Sequence, residues 1–119
     1  MDDFFCIIED ILLGRHITDL ELLLAVVRLG QDAYGVSIAR EIERTGKRAL
    51  SLGTVYAALE RMEQSGFVKS TLGDATPERG GRPKRFFKAT AKGLTQVRAT
   101  RDALSAMWQG LPELGRGFA

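Results

Sequence analysis

Arg79, Arg82, Lys84, Arg85, Lys88, Lys92, Arg98 and Arg101 fall between positions 79 and 101 with no acid among them. So dense a run of cations points to a polyanionic partner. Just upstream, Ser51 to Gly66 reads SLGTVYAALERMEQSG. At helical spacing, Leu52, Val55, Tyr56, Leu59 and Met62 share one side, and Gly53, Thr54, Ala57, Arg61 and Gln64 share the other. Ser51 is placed to cap the first turn and Gly66 to end the last. A helix that is apolar behind and small, polar and basic in front fits the major groove of DNA. Taken alone, the pattern also describes an ordinary surface helix, and a charge run is usually a solvated face. The neighbouring segments favour the groove.

Other chemistry is poorly supplied. The chain has one cysteine, Cys6, and one histidine, His16, too few for a zinc site or an intramolecular disulfide. No pair of carboxylates, no Ser/His/Asp set and no Gly-rich phosphate loop gathers on any element, so neither enzyme activity nor a metal or cofactor is expected.

The frame is that of a single small domain: 119 residues, 45% hydrophobic and 27% charged. The net charge of +2 hides an asymmetry, since Asp2, Asp3, Glu9 and Asp10 face only Arg15 before Thr18. No stretch approaches the roughly 20 apolar residues that span a bilayer. Without a signal-like core either, a cytoplasmic protein with no membrane partner is expected.

The elements that must position these groups follow from periodicity. Phe4, Ile7, Ile8, Ile11 and Leu12 make a short N-terminal helix that packs on the chain's own body or on a partner. Thr18 to Gly30 carries a capping-box pattern, Thr18 with Glu21, and apolar residues on most sides. Asp32 to Gly46 is a further helix with Tyr34, Ile38 and Ile42 on its inner stripe. Followed by the helix at Ser51, it makes a helix-turn-helix. The period then changes to two in FVKSTL and KRFFKA, two strands around the loop GDATPERGGRP, and a hairpin in this place is a wing. Thr90 caps a last helix running to Leu111. Its seam of Leu94, Val97, Arg101, Leu104, Trp108 and Leu111 is the pattern of a helix that pairs with another helix. Arg101 there either sets the register or meets an acid on another helix. The fold class is mostly α with a small β-hairpin. Residues 1–17 form an N-terminal helical extension, 18–89 a winged helix-turn-helix, 90–111 a dimerisation helix and 112–119 a tail.

DAYGVSIAREIE, then LSLGTVYAALERMEQSGFV, then ERGGRPKRFFKATAKG together resemble the PadR family of bacterial transcriptional regulators over roughly residues 18 to 93. The resemblance implies a winged helix-turn-helix and, as in the compact subfamily, a single C-terminal helix through which two chains dimerise. It implies repression, in some members relieved by small hydrophobic or aromatic compounds. The apolar extension before Thr18 departs from the family's usual pattern.

The expected DNA contacts are Ser51, Gly53, Thr54, Tyr56, Ala57, Arg61, Arg79, Arg82, Lys84 and Arg85. Tyr56 has its ring on the core side, with its hydroxyl within reach of a phosphate. Arg61 is either a base or a phosphate contact. The expected partners are double-stranded DNA carrying an inverted repeat, a second copy of the chain and a small hydrophobic or aromatic ligand at Trp108, Leu104 and Met107. For Trp108, plain interface packing is the competing reading. A winged helix serving only as a protein-interaction module is the rival for the whole chain, but it needs neither a basic wing nor a small-faced second helix.

Overall fold

The structure, a computed structural model, describes residues 15–75 and 83–115, with side chains from Thr18 to Gly73 and from Pro83 to Gly115. The expected N-terminal helix, and Arg79 and Arg82 of the wing loop, lie outside the described residues. Helices α1 (Arg15–Leu29), α2 (Gly35–Gly46) and α3 (Leu52–Gln64) are followed by strands β1 (Val68–Ala75) and β2 (Pro83–Ala89) and by helix α4 (Ala91–Trp108). This is a winged helix-turn-helix with a long C-terminal helix.

The core is one cluster: Leu22, Leu23, Ala25 and Val26 of α1, Ala33, Ile38 and Ile42 around α2, Val55, Ala58, Leu59 and Met62 of α3, and Val68 and Phe87 of the hairpin. Burying such side chains is worth roughly 1.5 to 3 kcal/mol each for the larger ones, and their helical or alternating spacing is what selects these elements. Helix α1 does not bury all its apolar sides, for Leu24 and Val27 stay 44% and 49% exposed.

Thr18 does not begin a helix, because α1 is already under way at Arg15. Its side chain is buried, and its hydroxyl accepts a hydrogen bond from Arg48 Nη2 at 3.1 Å. Glu21 pairs with the same guanidinium. A buried hydroxyl needs a partner, and the Arg48 guanidinium, from the turn beyond α2, supplies one. Tyr34 likewise leaves the inner stripe of α2 and stands at its N-cap, where its backbone N–H donates to Ser37 Oγ at 2.9 Å. The left-handed residue that ends α2 is Lys47, at φ +57°, not Gly46. Gly46 leaves room for Glu21 instead, since a Cβ there would come 2.8 Å from its Oε2.

The strands pair antiparallel, Val68 with Ala89 and Leu72 with Arg85, with an irregularity between Leu72 and Ala75. A one-residue bridge from Tyr34 to Phe86, and a hydrogen bond from Phe87 N–H to Ala33 O at 2.8 Å, fasten the hairpin to the start of α2.

Thr90 caps α4 as expected, accepting from Gly93 N–H at 3.1 Å. The same residue ties the new helix to the end of α3: its N–H donates to Phe67 O at 3.0 Å and its hydroxyl to Gly66 O at 2.5 Å, while Lys92 Nζ reaches Ser65 O at 2.8 Å. Helix α4 stops at Trp108, short of Leu111. Leu111 precedes Pro112, and a residue before proline is pushed out of the helical region; Gly110, at φ +80°, has already turned the chain. Leu94 and Val97 of the expected seam are partly buried, Leu104 and Leu111 are exposed, and within the chain Arg101 pairs with its neighbour Asp102 at 3.0 Å.

Candidate nucleic-acid interface

Helix α3 begins where Ser51 caps it, its hydroxyl oxygen accepting from Thr54 N–H at 3.1 Å and its O–H donating to Thr54 Oγ1 at 2.9 Å. Val55, Ala58, Leu59 and Met62 turn inward and are buried. Gly53, Thr54 and Ala57 are exposed on the far side, and the same face continues through Glu60 and Gln64. The helical period places these residues correctly but errs at the margin of the inner stripe. Leu52 and Tyr56, which it sets against the core, are 44% and 46% exposed. The four inward residues centre the stripe nearer Val55 and Met62, which leaves Leu52 and Tyr56 on its rim.

Tyr56 lies across Gly35 at the start of α2, so close that a Cβ on Gly35 would meet the phenol oxygen at 2.3 Å. This is why glycine follows Tyr34. The hydroxyl is thereby held beside the first turn of α2, where helical N–H groups have no partners within the helix and the dipole favours an anion.

The cations divide unexpectedly. Arg61 Nη2 meets Asp19 Oδ1 of α1 at 2.8 Å. Arg85 Nη2 meets Glu63 Oε1 at 2.7 Å, its Nε donates to Ser70 Oγ at 2.9 Å, and Ser70 completes the ring by donating to Glu63 Oε2 at 2.6 Å. Arg61 thus fastens the recognition helix to α1, and Arg85 fastens it to the hairpin. Lys84 Nζ sits 4.2 Å over the ring of Tyr34, which meets Phe86 edge-on at 5.7 Å between centroids. Neither Asp19 nor Glu63 stands out in the sequence, because their distance along the chain from Arg61 and Arg85 hides the pairing.

A second anchor joins the first two helices. The Glu41 carboxylate is held down to about 2, well below its ordinary value, by hydrogen bonds from Arg44, then from Arg28 of α1 and Thr45. These distances run from 2.6 to 3.3 Å.

The residues expected to hold a ligand are not gathered into one cavity. The hollow beside half-buried Trp108 is walled by Gln109, Gly110, Leu111, Pro112 and Gly115, without Leu104 or Met107. A larger groove of about 520 Å³ lies elsewhere, between the end of α1 and the hairpin, with Val26, Val27, Phe87, Ala89 and Leu94 among its walls. Among the described residues no three His, Cys, Asp or Glu side chains come together to hold a metal ion, and no helix is long and apolar enough to cross a membrane.

Residues 23–99 match the model of the transcriptional regulator PadR-like family. The chain belongs to that family. PadR-like proteins are transcriptional regulators rather than enzymes, and the two helices, the hairpin and the C-terminal helix described above are the PadR arrangement. No curated protein matches the sequence. Among solved structures, a transcriptional regulator from Clostridium thermocellum is 19% identical, with a TM-score of 0.70 over 87% of this chain and 94% of that one. A PadR family transcriptional regulator from Eggerthella lenta, also 19% identical, gives 0.66 over 99% of this chain and 100% of that one. A PadR family transcription regulator from Clostridium difficile is 25% identical, with a TM-score of 0.59 over 80% of this chain and 96% of that one.

Proposed function

We propose that this PadR-like regulator is a homodimeric repressor that occupies an inverted-repeat operator in double-stranded DNA, in the cytoplasm. The observation that carries this reading is the outer face of α3, where Gly53, Thr54 and Ala57 are exposed beside the Ser51 cap and the anchored Tyr56 hydroxyl. With nothing bulky on this face of its first turns, the helix backbone can approach base edges in the major groove. The hydroxyls of Ser51, Thr54 and Tyr56 and the N-terminus of α2 then meet phosphates. Lys84 carries the contact along the hairpin, and Arg79 and Arg82 extend it towards the minor groove. Arg61 and Arg85 serve this surface indirectly, by holding α3 at a set angle to α1 and to the wing.

Dimerisation through α4 is supported by Leu104 and Met107 of that helix and by Leu111 just beyond its end, exposed at 41%, 77% and 42%. Such residues in a row invite a second copy. A two-fold axis would present the two α3 helices to successive major grooves, with half-sites about one turn, or roughly 10 base pairs, apart. A small hydrophobic or aromatic effector at the Trp108 end of α4 would lower operator affinity by favouring another arrangement of the dimer.

Selection from a random duplex pool with the purified chain tests this function. An enriched inverted repeat, with light scattering that gives a dimer at micromolar concentration, is the expected result; no enriched sequence, or a monomer, overturns it. Tryptophan emission titrated with planar aromatic compounds, with operator affinity followed in parallel, tests the effector.

A further inference from the structure

We propose that α3 reads its half-site through a hydrogen-bond acceptor, Glu60, so that the operator offers an exocyclic amine, cytosine N4 or adenine N6, at the base facing it. This rests on the DNA-binding reading above and adds the chemistry of the bases that the helix selects.

The stripe of α3 directly opposite the core runs through Gly53, Ala57, Glu60 and Gln64, all exposed. It contains no cation. Arginine held by both O6 and N7 of guanine is the commonest specific contact in the major groove, and the arginines beside this stripe are withdrawn from making it. Arg61 is held by Asp19 at 2.8 Å, and Arg85 by Glu63 at 2.7 Å. Glu60, by contrast, has no hydrogen-bonding or ion-pair partner among the described residues, so its carboxylate is at the disposal of whatever faces the helix.

An ionised carboxylate accepts hydrogen bonds and donates none. In the major groove guanine presents O6 and N7 and thymine presents O4, all acceptors, whereas cytosine and adenine present an amine that donates. Set against guanine or thymine, Glu60 would leave oxygen facing oxygen in a desolvated groove. Its charge also opposes the phosphates. Glu60 therefore lowers affinity for DNA in general and raises selectivity, discriminating by repulsion of the wrong base. Gly53 and Ala57, on the two preceding turns, keep the helix low enough in the groove for a side chain as short as glutamate to reach a base edge. Gln64 follows about 6 Å further along the axis, roughly two base-pair steps, and can bond adenine through N6 and N7 at a neighbouring position.

The test is selection from random duplexes with the full chain and with the Glu60→Ala, Glu60→Gln and Gln64→Ala variants. Both positions are exposed, so the variants are expected to keep the wild-type melting curve. The wild-type motif should hold cytosine or adenine at one symmetric position of each half-site, against which other bases cost about tenfold or more in affinity. Glu60→Ala should level that position alone while binding random duplex several-fold more tightly at low salt, because a charge that repels phosphate is gone. Glu60→Gln should turn the same position towards adenine, and Gln64→Ala should relax a neighbouring one. A wild-type motif that Glu60→Ala leaves intact, with random-duplex affinity unchanged, overturns the proposal and leaves the DNA-binding reading standing. No wild-type motif at all overturns both.

Discussion

Alanine at position 35 would place a methyl group 2.3 Å from the Tyr56 hydroxyl oxygen and 2.4 Å from Cζ. Ordinary contacts for a Cβ begin near 3.4 Å, so one of the two must move by about 1 Å. The backbone at Gly35 is buried, whereas Tyr56 is 46% exposed and can swing outward. A half-buried aromatic ring that leaves its seat gives up on the order of 1 kcal/mol, and replacing glycine by alanine in a helix returns roughly 0.5 to 1 kcal/mol. Stability should therefore change by no more than about 0.5 kcal/mol in chemical denaturation. DNA affinity should not be spared. A hydrogen bond to a charged group is worth about 1.5 to 3 kcal/mol, so displacing the hydroxyl from a phosphate should weaken operator binding roughly tenfold or more. Tyr56→Phe removes the same bond without moving the ring and should cost as much. The double variant should cost little more than either alone. A Gly35→Ala protein that binds operator at wild-type strength would refute this account of Tyr56, and one destabilised by more than about 3 kcal/mol would show that the backbone, not the ring, gives way.

Arg61→Ala should lower stability by about 0.5 to 1 kcal/mol, as expected for a partly exposed pair, while operator selection returns the wild-type base preferences; a base dropped from the motif would show that Arg61 leaves Asp19 to read DNA. Replacing Arg82 and Lys84 together with alanine should weaken specific and random duplexes alike and flatten the salt slope by about 1 for each phosphate no longer neutralised. Because the folded chain holds Glu41 below its ordinary 4.5, its stabilising effect is present above pH 4.5 and is lost as pH falls towards 2. Glu41→Gln should remove that part of the acid sensitivity, seen as a flatter melting temperature across the same interval. Leu104→Asp, at an exposed apolar position of α4, should leave the melting of the winged domain intact and shift light scattering from dimer to monomer.

Periodicity and capping residues make the order of elements legible, because each depends on residues within a turn or two. Thr90, Ser51 and the inward faces of α2 and α3 follow from such local patterns. Tertiary demand is not local, and it takes residues away from their local roles. Thr18 and Glu21 look like a helix start, yet they serve Arg48 across the interface with the α2–α3 turn. Arg61 looks like a groove cation, yet Asp19 holds it. Tyr56 has the spacing of a core residue, but the packed stripe centres on Val55, Ala58, Leu59 and Met62 and leaves the ring on its rim. The exposed line of Gly53, Ala57, Glu60 and Gln64 is present in the spacing too. It is obscured because arginine, the residue type that most often touches DNA, stands next to it.

The junction at Thr90 makes α4 a lever without a hinge. Its 18 residues extend about 27 Å from an anchorage hydrogen-bonded to the very turn in which α3 ends. In a dimer clamped along α4, a tilt of about 10° between the two levers would carry their ends, and with them the two recognition helices, through roughly 5 Å. That is more than one base-pair step, set against an operator whose grooves do not move. The crossing angle of the levers and the distance between half-sites are then one mechanical setting, and a wedge near Trp108 could detune the grip on DNA without touching a single residue that meets it.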